Sequence, residues 1–166
     1  MAAAICAHVW ESWGADRPRL VVVEPDQADC LYQSARNGGP TVVEGALDTI
    51  MAGLACGEVS LLAWTILDAG ADAFSTITDA AAADCMRLLA VPAEGDPPIV
   101  AGESAVAGLA GALIAWRDPD AAAALGLDGD SRLLVFGSEG ATDPDMYQNI
   151  VGRSPEAVRA GDGLAG

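Results

Sequence analysis

The apolar positions of this chain fall into short continuous runs broken by acidic or glycine-rich turns. Leu20 to Glu24 is such a run, stopped by Glu24-Pro25-Asp26. Ala73 to Thr78 and Arg132 to Phe136 are two more, rich in β-branched and aromatic residues, and Thr41-Val42-Val43 is a shorter one. Each predicts a strand. Between them the spacing becomes helical. Ile5, Val9 and Trp13 share one face of a helix from Met1 to Trp13, with Gly14 as its stop. Asp26 is expected to cap a helix to about Arg36, ended by Asn37-Gly38-Gly39-Pro40. Further helices are predicted over Ala46–Ala55, Leu61–Ala69, Asp79 (as cap) to about Val91, Gly102–Trp116, Pro119–Leu125 and Pro144–Val151. Pro92 to Pro98 reads as a loop.

Strand and helix alternate, and the strands are continuous rather than alternating apolar runs. That pattern marks a parallel sheet covered on both faces by helices. The expected fold class is therefore α/β: a three-layer partial domain with a mostly parallel sheet flanked by helices. Residues 1–152 form one unit, and 153–166 a flexible tail. Ligands of open α/β sheets sit beyond the carboxyl ends of the strands. This puts Glu24-Pro25-Asp26 and Gly137-Ser138-Glu139-Gly140 on one expected crevice.

Composition narrows the function classes. The net charge of −16, from 24 acids against 8 bases, would repel a phosphate backbone, so nucleic-acid binding is not expected. All the bases are arginines, so the chain cannot form a lysine Schiff base. A mean hydropathy of +0.31 argues for a well-buried interior. The longest apolar or glycine run, Val106 to Trp116, falls short of the about 20 residues that span a bilayer. The start carries no basic leader, and a cytoplasmic location is expected. Four cysteines without CxxC spacing and one histidine make a zinc site improbable, and the tryptophans are expected as core or interface anchors.

The candidate chemistry lies in three segments. FGSEGATD, Phe136 to Asp143, presents Ser138 on a glycine-rich turn. Its hydroxyl either meets a polar group of a bound cofactor or, with Thr142, satisfies the turn backbone. GESAVAG, Gly102 to Gly108, opens a helix with small residues that would let a ligand approach. Glu103 there also suits the helix dipole with no ligand at all. TIMAGLACGEVS, Thr49 to Ser60, is either a core helix and turn or brings Cys56 and Glu58 to the crevice mouth. His8 reads as structural. No Ser/His/Asp constellation, phosphate loop or dinucleotide fingerprint is present.

Taken together, VVVEPDQADCL, TIMAGLACGEVS, PPIVAGESAVAGL and LLVFGSEGATDPDMY resemble, in this order and spacing, the C-terminal half of the diaminopropionate ammonia-lyase family. These are fold-type II pyridoxal-phosphate enzymes, similar to threonine dehydratase and the tryptophan synthase β subunit. The resemblance runs from about Ala2 to Val151. It implies elimination of ammonia from 2,3-diaminopropionate to give pyruvate, with pyridoxal 5′-phosphate as cofactor and a homodimeric assembly. It implies cofactor contacts from Gly102, Glu103, Gly137 and Ser138, with Ser138 facing the pyridine nitrogen. Ala105 stands where the family has glycine, and Gly137-Ser138 where members often carry Ser-Thr. The resemblance also implies cysteines near the entrance at Cys30 and Cys56, either bridged or as two free thiols. The family's lysine, acidic catalytic residues and phosphate loop lie in the N-terminal half, so none matches here. The chain thus reads as a fragment, inactive alone, that would need a complementary N-terminal half. Three rivals stand beside that reading: a non-catalytic interaction module, a degenerate remnant, and a related lyase acting on serine or threonine.

Overall fold

In the computed structural model, which describes residues 1–93 and 95–161, a parallel pair of strands forms the centre of a three-layer α/β unit. Helix α1 (Ala2–Trp13) leads through a 3-10 turn (Gly14–Asp16) into strand β1 (Val21–Pro25). Helix α2 (Cys30–Asn37) and helix α3 (Leu61–Gly70) precede strand β2 (Ala73–Ile77). Helices α4 (Asp79–Ala90), α5 (Ala107–Arg117), α6 (Pro119–Leu125), α7 (Pro144–Val151) and α8 (Pro155–Arg159) complete the chain. β1 and β2 run in register from Val21↔Ala73 to Pro25↔Ile77.

The alternation of a strand sorts its side chains onto two faces. Val22 packs with Cys6 and Leu67 under α1 and α3. Val23, one residue on, points the other way into α5. There a Cβ on Gly111 would stand 2.7 Å from Val23 Cγ2, so the helix reaches the strand only because this residue has no side chain. The larger core lies on that side, with Met51, Ile77, Met86, Val106, Tyr147 and Val158 fully buried. Arg17 and Asp72 hold the entrance to β1. Asp72 accepts from both Arg17 guanidinium nitrogens (2.6 and 3.1 Å) and from the Leu20 N–H at 2.7 Å. The Arg17 bonds hold its carboxyl below the usual 3.8, so its contribution to stability is present above that value and lost as pH falls through the depressed one. Asp72→Asn is therefore expected to lower Tm at neutral pH by about 2–5 °C. Thermal melts down a pH series should show the gap closing at acid pH; a constant gap would contradict the assignment.

Several elements differ from their sequence expectations. Arg132–Phe136 joins no ladder, and Leu134 is 79% exposed. A strand needs a neighbour, and none lies beside this run among the described residues. β1 has an open edge for the same reason. The Leu20 carbonyl and the Asp26 N–H bond to the β2 side, so Val21 and Val23 turn their backbone groups the other way. Thr41–Val43 forms no strand either; Val43 N–H makes one bond, to the Gly57 carbonyl. The expected helix 46–55 is irregular apart from a 3-10 turn at Ala52–Leu54. Leu47 sits at φ 49°, and Asp79 draws the segment in by accepting from Thr49 Oγ1 (2.5 Å) and Ile50 N–H (3.1 Å). Tertiary bonds override helix propensity there. Asp79 is thus not the cap of α4; Thr78 is, through its hydroxyl and the Ala81 N–H. Asp26 does not cap α2, which starts four residues later. Of the tryptophans only Trp64 is core, while Trp10, Trp13 and Trp116 are exposed. His8 packs edge-on to Trp13.

The expected loose tail folds back as far as Gly161. Val158 of α8 is fully buried, and Arg153 donates to the Ala90 and Ala157 carbonyls. Glu94 of the 92–98 loop and residues 162–166 of the tail lie outside the described residues.

Candidate functional site

Two turns meet at the N-terminal end of α5, and a cleft of about 390 Å³ opens over them. Its walls are Met1, Gly53, Leu54, Ser104, Ser138, Glu139, Gly140 and Thr142. The first turn, 102–106, does not continue α5, which begins only at Ala107. It is pulled instead onto the second turn, 137–140. The Gly102 N–H donates to the Glu139 carbonyl at 3.1 Å, and the Ser104 N–H donates to Glu139 Oε2 at 3.0 Å. Ser104 Oγ in turn accepts from the Gly53 N–H at 3.0 Å, which attaches the 52–54 turn. Gly102 is obligatory at this crossing: a Cβ there would land on the Gly140 carbonyl oxygen and 2.9 Å from Glu139 Cγ. On the other side of Ser138, a Cβ on Gly137 would stand 3.3 Å from the Ala105 carbonyl oxygen.

The sequence-derived residues Gly102, Glu103, Gly137 and Ser138 thus come together on these two turns. Ser138 is exposed at the cleft. Glu103 is 4% exposed and does not line the cleft, and burial, with Glu139 and Asp143 adding, pushes its carboxyl above the usual 4.5 against the pull of its own backbone N–H. Ala105 is buried and does not line the cleft. Glu139 was not singled out from the sequence. An acid one residue after the candidate serine, on a turn too short to be self-supporting, was its only signal.

Glu24-Pro25-Asp26 is not part of the cleft. Glu24 turns into the protein and caps α2, accepting from Leu31 N–H (3.1 Å) and Tyr32 N–H (2.8 Å). The Cys30 thiol faces the same carboxylate, with Sγ 3.8 Å from Oε1. The acidic stop after β1 is therefore structural.

Cys30 and Cys56 are not bridged: both are free, Cys30 buried and Cys56 exposed. Burial, then the charges of Glu24 and Cys56, push the Cys30 thiol up to about 11, which keeps it protonated and a poor partner for exchange. Titration of the denatured, unreduced chain is expected to find all four thiols; two would restore the bridge. Among the described residues no group of three or more His, Cys, Asp or Glu could hold a metal. Likewise none of their helices is long and apolar enough to cross a membrane.

The class follows from the comparisons. Residues 1–138 match the family model described as pyridoxal-phosphate dependent enzyme, and the chain belongs to that family. Within it, the chain is similar to the diaminopropionate ammonia-lyase of Salmonella typhimurium, 40% identical over 162 residues, covering 92% of this chain and 40% of that protein. The crystal structure of holo diaminopropionate ammonia lyase from Escherichia coli superposes with a TM-score of 0.82 at 36% identity, covering 91% of this chain and 38% of that one. The threonine deaminase of T.th., with a TM-score of 0.59 at 21% identity, covers 68% of this chain and 36% of its own, and shares the fold. The chain spans about 40% of the length of the curated relatives it matches.

Proposed function

We propose that this chain is the C-terminal, ring-binding part of a cytoplasmic pyridoxal-phosphate-dependent ammonia-lyase that converts 2,3-diaminopropionate and water to pyruvate, releasing both nitrogens as ammonia. The observation that carries the reading is the junction of the 102–106 and 137–140 turns. It packs the turn that carries Gly102 and Glu103 against the turn that carries Gly137 and Ser138, with Ser138 on the cleft wall. The residues fit one part of the cofactor. Ser138 would offer a hydroxyl to the ring nitrogen, while Gly102 and Gly137 let the two turns pack closely enough to present it. Among the described residues no cationic side chain lines the cleft, so the phosphate would not be held by side-chain charge from them. Pyridoxal phosphate, when bound, supplies the electron sink for breaking the Cα–H bond and expelling the β-nitrogen. This chain's share would be to orient the ring through Ser138, with Glu103 as a further contact that the family resemblance implies.

The Schiff-base amine must come from elsewhere, because the sequence holds no lysine. The chain alone is therefore inactive in elimination, and a complementary N-terminal half carries the lysine, the phosphate loop and the acidic residues. The family resemblance supports a homodimer. A second reading, an interaction module without catalysis, is favoured by the exposed apolar run Leu133 to Phe136. Absorption spectra with added pyridoxal phosphate separate the two. A band near roughly 410–430 nm that requires the lysine-bearing half, followed by pyruvate from 2,3-diaminopropionate, supports the lyase. A folded, associated pair with neither band nor pyruvate rejects it in favour of the module. Serine and threonine, run as parallel substrates, test the related dehydratase.

A further inference from the structure

Among the described residues of the cleft, Glu139 alone grips the facing turn by both main chain and side chain. Its carbonyl accepts from Gly102 N–H at 3.1 Å, and its Oε2 accepts from Ser104 N–H at 3.0 Å. Its other oxygen lies 3.4 Å from the Thr142 hydroxyl, which donates to it from within its own turn. Ser138 is bracketed as a result: Gly137 is packed on Ala105 before it, and Glu139 is bonded to Gly102 and Ser104 after it. No hydrogen bond to the described residues holds the backbone of Ser138 itself. Left alone, a glycine-flanked serine on an exposed turn would sample many orientations. We propose that Glu139 is a positioning residue: by holding the 102–104 turn through its carboxylate and its carbonyl, it fixes the Ser138 hydroxyl toward the cofactor ring. The assignment rests on the pyridoxal-phosphate reading of the cleft.

The nature of the bonds makes the claim specific. An ionised carboxylate is a strong acceptor for a backbone N–H. Glutamine keeps an oxygen at the same reach, whereas alanine removes the acceptor and leaves only the main-chain bond to Gly102. Loss of function in alanine with recovery in glutamine is thus the expected signature of positioning.

The experiment uses the full chain, ¹⁵N-labelled, as wild type, Glu139→Ala, Glu139→Gln, Ser138→Ala and the Ser138/Glu139 double alanine variant. Amide exchange is measured without cofactor. Pyridoxal phosphate is then titrated to millimolar levels and read by amide shifts. Glu139→Ala should speed exchange at Ser104 about tenfold, and Glu139→Gln by less than about threefold. Glu139→Ala should weaken pyridoxal-phosphate binding about fivefold, with Glu139→Gln restoring most of it. The double variant should bind no worse than Ser138→Ala, because Glu139 acts through that hydroxyl. Unchanged exchange in Glu139→Ala overturns the proposal, and so do additive losses in the double variant. Absence of pyridoxal-phosphate binding by the wild type, with its Ser104 amide protected, sinks the cofactor reading instead and takes the positioning role with it.

Discussion

Glu24→Ala is expected to destabilise the chain by about 2–4 kcal/mol, from the loss of charge-assisted bonds and the stranding of buried donors. The carboxylate is 7% exposed and occupies both first-turn N–H groups of α2 that point at it, Leu31 and Tyr32. Alanine leaves those donors facing a void, with the Cys30 thiol beside them. Glu24→Gln keeps one acceptor oxygen and should cost less. The pH dependence runs opposite to that of Asp72. Burial, outweighing the Tyr32 and Leu31 N–H bonds, raises the Glu24 carboxyl above its usual 4.5 in the folded state. Its proton is then held more tightly folded than unfolded. That contribution is full below 4.5 and declines as pH rises through the folded value. The deficit of Glu24→Gln relative to wild type should accordingly be larger at acid pH than at neutral pH. Urea unfolding at both conditions measures it. A deficit below about 0.5 kcal/mol for Glu24→Ala would mean that the cap is dispensable.

The same residue shows what the sequence could and could not convey. The run Leu20–Glu24 was legible as a strand because burial on both faces demands continuous apolar residues, and β1 lies there. The role of Glu24 was not legible. Facing a cleft and capping a helix six residues on both place an acid after a strand, and only the direction of the side chain separates them. α1, α3, α6 and α7 were readable from periodicity and stop signals because their caps are local. The segments 46–55 and 102–106 were not, because distant residues decide them: Asp79 for the first, Glu139 for the second. Arg132–Phe136 carries strand composition without a strand partner, and no local pattern encodes a missing neighbour. For the site, the motifs singled out Gly102, Glu103, Gly137 and Ser138, but they put the first two at the start of a helix and paired the 137–140 turn with Glu24-Pro25-Asp26, whereas the structure packs it on the 102–106 turn. They could not reveal Glu139, whose bonds cross 35 positions of sequence.

That crossing makes Gly102→Val the second large effect. The two turns approach so closely at Gly102 that any Cβ must displace the Gly140 carbonyl, a backbone atom that cannot rotate away, along with Glu139 Cγ. Gly102 does not need a positive φ, so backbone strain adds nothing and the clash alone sets the outcome. Overpacking of this kind typically costs about 1–3 kcal/mol. The turns can relieve it only by separating, which breaks the Gly102 and Ser104 bonds to Glu139 and carries Ser138 away from its place. Pyridoxal-phosphate binding should therefore fall at least about tenfold, beyond the effect of Ser138→Ala alone, since the cleft walls at Ser104, Glu139 and Gly140 move as well as the hydroxyl. Gly129→Ala, away from the cleft walls, is the matched control. Nothing lies within 4 Å of the position its Cβ would take, and both stability and binding should stay near wild type. Chemical denaturation and a pyridoxal-phosphate titration of the two variants decide the matter. Equal behaviour of Gly102→Val and Gly129→Ala would show that the turns do not meet at this point. A stability loss confined to Gly102→Val, with binding intact, would show that they meet but that the cofactor lies elsewhere.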